Sequence, residues 1–135
     1  MALFEWTDTL SVQIDSIDAQ HKKLIDLINN LHDAMRAGKG KDVLGATLDE
    51  LINYTRYHFN YEEGLLQKAG YTDFANHKGE HVKLTQQVID LNEKYKTGNA
   101  VLTIEVMNFL KSWLSTHITG TDKKYVSQVK AKGIV

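Results

Sequence analysis

The chain has 135 residues, 42% of them apolar and 24% charged, with a formal net charge of −1. That length supports one domain with its own core and no disulfide staples, and the near-neutral charge argues against nucleic acid or an anionic membrane as partner. Cysteine is absent, which removes every thiolate metal site, and no stretch has the apolar length that crosses a bilayer.

Residues 1–17 show no helical period. Leu10, Val12 and Ile14 alternate with polar residues as a strand would, but no second strand is available to pair with. An extended arm laid along the helices is expected, anchored by Trp6 and Leu10. The start, Met1-Ala-Leu-Phe-Glu-Trp6, lacks the basic and apolar regions of a secretory leader. A cytoplasmic protein is expected.

Asp18 is a candidate N-cap for the first helix. From there Leu24, Ile25, Ile28, Leu31 and Met35 recur at helical spacing until Gly38 and Gly40. His21 shares that stripe. His32 faces a similar way but lies roughly 16 Å further along the axis, so a structural or surface role is expected for it.

The second helix is predicted from Asp42 to Ala69, with Gly70 as C-cap. Its apolar stripe takes in Leu44, Leu48, Leu51, Ile52, Thr55, His58, Phe59, Glu62, Leu65 and Leu66. Glu62 therefore falls on a buried face, which is costly for a carboxylate without a partner or a metal. Glu63 points elsewhere and is expected to be solvated. Thr72 or Asp73 can cap the third helix, whose stripe is Phe74, His77, His81, Leu84, Val88, Leu91 and Tyr95, with Gly98 beyond. The fourth carries Leu102, Val106, Phe109, Leu110, Trp113, Leu114 and His117, and Gly120 interrupts it. A short terminal helix packs back through Tyr125 and Val129.

Short loops between four helices predict an all-α, antiparallel up-down-up-down bundle. The expected division is an arm over 1–17, the bundle over 18–119 and a short C-terminal helix over 122–131, all one domain. In that topology His21, the pair His58 and Glu62, the pair His77 and His81, and His117 arrive at the same end of the core. Pairs four apart lie on one helix face and can reach a common ion. Asp122 stands five after His117, a spacing that diverges by about 140° on a regular helix. It joins the group only if the helix is distorted or ends between them, which Gly120 would permit.

Imidazole suits zinc, copper, iron and nickel, and carboxylate adds hardness suited to iron or manganese; His21, His58, Glu62, His77, His81, His117 and Asp122 are too many donors for one ion. Two six-coordinate iron ions, with both carboxylates and a solvent oxygen bridging, would leave one coordination position open. A small two-electron acceptor such as O2 suits that position. The neighbours Leu24, Phe59, Trp113, Leu114 and Ile118 are apolar and would form a dry pocket for it. A histidine-rich set should hold ferrous iron and favour binding over oxidation chemistry, so no enzymatic activity is expected. Gln20, Tyr54, Tyr57 and Tyr125 are unranked candidates to orient the ligands.

Asp18-Ala-Gln-His21, His58-Phe-Asn-Tyr-Glu62-Glu63, His77-Lys-Gly-Glu-His81, Trp113-Leu-Ser-Thr-His117-Ile and Asp122-Lys-Lys-Tyr125 together resemble the hemerythrin family, its single-domain bacterial members above all. The resemblance covers nearly the whole chain and all seven ligand positions. It implies reversible O2 binding at a non-haem di-iron centre with a bridging oxo or hydroxo group, in a protein that stores, transports or delivers oxygen. His77, His81 and His117 would hold one iron, His21 and His58 the other, with Glu62 and Asp122 bridging and O2 held at the two-histidine iron. Small anions could occupy the same position, and a monomer is expected. Where many relatives carry proline after the tyrosine that follows the second helix, Thr72 follows Tyr71 here, a departure confined to a loop.

Four other readings compete with this. His77-Lys-Gly-Glu80-His81 also matches the H-x-x-E-H zinc-peptidase pattern, but that leaves the other ligands unexplained. A di-iron oxidase or peroxidase would show sustained turnover. An O2 or redox sensor would need a partner surface. A metal-free bundle would leave five imidazoles and two carboxylates buried at high cost.

Overall fold

The computed structural model describes residues 3–98 and 104–134. Among them the order is a 3-10 turn at Asp8–Leu10, α1 (Asp15–Arg36), α2 (Lys41–Ala69), α3 (Phe74–Lys96) and α4 (Ile104–Thr116). A π turn at His117–Thr121, a 3-10 turn at Asp122–Tyr125 and α5 (Val126–Ala131) complete it. No strand occurs among the described residues. The expected all-α bundle is found: α1 packs on α2 and α4, and α2 packs on α3. The α3–α4 seam is pinned where the Trp113 indole N–H donates to the Leu84 carbonyl at 3.2 Å. None of the described helices is long and apolar enough to cross a membrane.

The helices bury the centre of the stripes their spacing implies. Leu24, Ile28 and Leu31 of α1 and Leu48, Leu51 and Leu66 of α2 are fully enclosed, as are Leu110 and Leu114 of α4. Gly70 closes α2 in the left-handed conformation at φ 67°, which spares a side chain the strain of that region. Removing so much apolar surface from water is the main stabilising term, roughly 1.5–3 kcal/mol for each fully buried side chain of this size.

Several local expectations are corrected. Helix α1 begins three residues before Asp18, with Ile14 in the cap position. The Asp18 carboxylate reaches back instead, accepting from the Ser11 hydroxyl at 2.6 Å and the Val12 N–H at 2.9 Å. The arm is extended at Thr7, Ser11 and Ile14 around the 3-10 turn, yet Trp6 is only half-buried under Lys22, whose Nζ lies 4.9 Å from the ring centre. Phe4, Leu10, Val12 and Ile14 are the buried anchors. Asn29 holds the arm with paired bonds to the Phe4 N–H (3.0 Å) and carbonyl (2.7 Å). In α4, Phe109 is 42% exposed and Met107 takes the core position. Leu102 lies outside the described residues.

Tyr125 and Val129 are fully buried, so the C-terminal segment packs back as expected. It is not separated from α4 by a break at Gly120. The backbone stays helical through that residue, which has no positive φ, and only its pitch changes.

Candidate metal centre

The ligand candidates come from every helix of the bundle and converge at one level. His21 sits in the second turn of α1, His58 and Glu62 in the C-terminal half of α2, and His77 and His81 in the first turns of α3. His117 and Asp122 stand at the two ends of the π turn. A π turn closes i→i+5 rather than i→i+4, and the Asp122 N–H bonds to the His117 carbonyl. The widened turn brings residues five apart onto one face. His117 Nε2 and Asp122 Oδ1 are 3.0 Å apart. The distortion that the spacing demanded is present, without left-handed backbone at Gly120.

All seven side chains are buried. Their donor atoms form two groups, each with every atom within 4.8 Å of the others: Glu62, His77, His81, His117 and Asp122 in one, and His21, His58, Glu62 and Asp122 in the other. The carboxylates belong to both. Glu62 Oε1 lies 2.6 Å from His77 Nε2 and 2.9 Å from His81 Nε2, while Oε2 lies 3.7 Å from His58 Nε2 and 3.9 Å from His21 Nε2. Asp122 Oδ1 faces His77 (3.3 Å) and His117 (3.0 Å), and Oδ2 faces His21 (3.1 Å). Each carboxylate thus turns one oxygen to each histidine group. Donors about 2.1 Å from a six-coordinate ion stand about 3 Å apart on neighbouring positions, and the contacts of His77, His81 and His117 with their nearer carboxylate oxygens, and of His21 with Asp122, lie at 2.6–3.3 Å, while Glu62 Oε2 stands wider from His21 and His58.

The donor set fits metal ions better than it fits itself. His21 Nε2, His58 Nε2, His117 Nε2 and both Asp122 oxygens are buried without a hydrogen-bond partner, a state that native interiors avoid. His81 makes the point by proton count. Its Nδ1 is 2.8 Å from Glu63 Oε2 and its Nε2 is 2.9 Å from Glu62 Oε1. A neutral imidazole has one proton, and a carboxylate only accepts. With Nδ1–H donated to Glu63, the Nε2 lone pair of a neutral ring faces a carboxylate, an arrangement that a second proton or a metal ion there would relieve.

Around the ligands, His58 Nδ1–H donates to Gln20 Oε1 at 2.7 Å, and the Tyr125 hydroxyl donates to Glu62 Oε2 at 3.0 Å. Gln20 and Tyr125 are therefore placed at the centre, while Tyr57 is exposed and Tyr54 contacts it instead. Glu63, expected in solvent, is the residue that sequence reasoning missed. The apolar candidates Leu24, Phe59, Trp113, Leu114 and Ile118 are all buried. The Phe59 ring stacks on His81, 3.9 Å between centres and 4° from parallel.

The local electrostatics are polarised. Burial lowers the His58 pKa to about 3. Burial also acts to lower that of His117, but the Asp122 charge outweighs it and lifts the value to about 10. Glu62 is held well below the usual carboxylate range: burial works to raise it and the imidazoles of His117, His77 and His81 overcome that. Asp122 is also lowered, the imidazoles of His117 and His21 prevailing over burial and the neighbouring Glu62 charge. Burial raises Tyr125 well above its ordinary value, so its hydroxyl stays a donor.

Comparison with known proteins gives a consistent picture. The Hemerythrin HHE cation binding domain family matches residues 12–129. A bacteriohemerythrin of Methylococcus capsulatus is 40% identical over 126 residues, covering 93% of this chain and 95% of that protein. One from Stenotrophomonas maltophilia is 37% identical over 131 residues, covering 97% and 84%. A crystal structure of wild-type hemerythrin superposes with a TM-score of 0.86 at 39% identity, covering 95% of this chain and 98% of that one.

Proposed function

The chain belongs to the hemerythrin family, and from that premise we propose that it binds O2 reversibly at a non-haem di-iron centre, in storage, transport or delivery of oxygen. The observation that carries the reading is the way Glu62 and Asp122 divide their oxygens between a three-histidine group and a two-histidine group. His77, His81 and His117 would hold one iron and His21 and His58 the other, with the two carboxylates shared. Iron in that setting supplies the electrons that O2 needs for reversible capture.

The remaining work falls to the chain's own residues. The two-histidine group has one imidazole fewer, which leaves room there for an exogenous ligand such as O2 or a small anion. Leu24, Phe59, Trp113, Leu114 and Ile118 keep water from the pocket. Tyr125 holds the Glu62 carboxylate in place by its hydroxyl. Gln20 fixes the tautomer of His58, so that Nε2 presents its lone pair inward. With more imidazole than carboxylate, the set suits ferrous iron and carriage rather than turnover.

The test is an optical titration of the reduced, iron-loaded protein with O2, then removal of O2, with iron quantified on the same sample. Two irons per chain and a charge-transfer band that appears with O2 and vanishes without it are expected. Immediate irreversible oxidation would sink reversible carriage and favour an oxidase or redox sensor. Zinc alone, or no metal, would sink the di-iron reading.

A further inference from the structure

The two histidine groups are oriented by different chemistry. In the two-histidine group, His58 Nδ1–H meets the neutral amide oxygen of Gln20 at 2.7 Å. In the three-histidine group, His81 Nδ1–H meets the carboxylate of Glu63 at 2.8 Å. Glu63 sits one residue beyond Glu62 on α2, and its side chain is only 16% exposed. The Phe59 ring lies flat against His81 and closes one face of the imidazole. Nδ1 of His21, His77 and His117 has no hydrogen-bond partner. Glu63 is thus the one full negative charge hydrogen-bonded to the outer nitrogen of a ligand candidate, among the described residues.

A carboxylate on the outer nitrogen pulls that proton toward itself and pushes electron density to the inner nitrogen, raising ligand basicity. A neutral amide does this less, because charged acceptors make the stronger bond. We infer that Glu63 is a positioning residue that makes His81 the most electron-rich imidazole of the centre and biases the three-histidine side toward the more oxidised metal ion, leaving the Gln20-supported side as the easier one to reduce. This rests on the dinuclear reading above. The two sides differ in charge as well as in histidine number, and that second asymmetry is set by residues that touch no metal.

Two measurements test it on the whole chain. In the first, metal-free wild type, E63Q, E63L and Q20L are titrated with Co²⁺ alone, which needs no O2 or redox change. Wild type is expected to take up two ions. E63L should weaken one step by roughly 10–100-fold, E63Q should weaken the same step less, and Q20L should weaken the other step. In the second, the iron-loaded proteins are poised in a spectroelectrochemical cell. E63Q keeps the size and the hydrogen bond but not the charge, so it should shift one reduction midpoint positive. A tenfold loss in preference for the oxidised ion corresponds to about 59 mV for one electron. Q20E should move the other midpoint negative. A merely structural role for Glu63 would leave the E63Q potential where it was. Two ions bound with unchanged affinities and potentials in the Glu63 variants would overturn this inference and leave the dinuclear reading standing. Failure of wild type to bind a second ion would overturn both.

Discussion

His117 and Asp122 are five residues apart in sequence and 3.0 Å apart between Nε2 and Oδ1. The π turn at His117–Thr121 is what reconciles the two facts. A regular α-helix would swing Asp122 about 140° away from His117. In the proposed centre the turn is what sets Asp122 beside His117, and its length is the quantity to perturb. Deleting the exposed Thr119 would leave the two residues four apart on a regular α-helix, again on one face, but inserting an alanine beside it should put them six apart and rotate Asp122 by about 100°. The bundle should survive, as read by circular dichroism, while bound iron falls to one ion per chain or none. G120A is the matching control. Gly120 has helical backbone and nothing within 4 Å of an added Cβ, so alanine there should retain both ions and add about 0.5–1 kcal/mol of stability.

Glu62 and His21 should behave differently when removed. Glu62 faces both donor groups, whereas His21 belongs to the smaller one alone. E62A is expected to abolish binding of both ions, and H21A to leave one ion at His77, His81 and His117. Elemental analysis after iron loading and desalting reads the difference. Equal loss in the two variants would contradict the shared-carboxylate arrangement.

How much of this could be read ahead of the structure depends on distance along the chain. Contacts set by helical period were legible: His58 with Glu62, His77 with His81, and the convergence of helix ends. The His117–Asp122 spacing even announced a distortion, because a fixed rise and turn per residue makes its absence impossible. What escaped was set by azimuth between helices. Glu63 meets His81 across eighteen positions, and a rotation of α2 by a fraction of a turn would have sent it to solvent. Met107 and Phe109 are both apolar on a short helix, so periodicity alone could not say which one the core would take. Asp18 was a reasonable cap by type, but its carboxylate found the Ser11 hydroxyl and Val12 N–H of the arm, partners that exist only once the arm folds back.

Without metal, stability should depend on pH from both sides. The folded-state pKa of His117 is raised to about 10. Its contribution is fully present below the unfolded value of about 6.5 and is lost as pH rises through 10. The folded-state pKa of His58 is lowered to about 3. As pH falls below about 6.5, the unfolded chain gains a proton there that the folded chain refuses, so stability is lost toward pH 3. Thermal melting of the metal-free protein should peak near neutrality and fall on either side. Metal uptake at pH 7 should also expel the His117 proton, detectable as a buffer-dependent heat in calorimetry. D122N should remove much of that proton release, because the Asp122 charge is what holds it.

Asn29 ties the arm to α1 by a paired contact with the Phe4 backbone. N29A leaves a partly buried N–H and carbonyl without partners, at a cost of about 1–3 kcal/mol. Urea unfolding should register that loss, and proteolysis within residues 4–12 should accelerate. Metal content should stay unchanged, since the contact does not involve the ligand group.

Pocket dryness can be separated from stability by comparing two leucines. Leu24 and Leu48 are both fully buried. Leu24 lies one turn after His21, whereas Leu48 lies ten residues before His58, about 15 Å along α2. Leucine to alanine at either site should cost about 2–5 kcal/mol, close enough in the two variants that unfolding alone will not distinguish them. Their effect on the centre should differ. A cavity beside His21 admits water to the side proposed for O2, and water hastens irreversible oxidation of the iron. L24A should therefore shorten the lifetime of the O2-bound absorption band severalfold, while L48A should leave it at the wild-type value under conditions where both remain folded. If the two variants lose the band at the same rate, the loss follows from general loosening of the bundle, and the apolar wall around His21 has no protective role of its own.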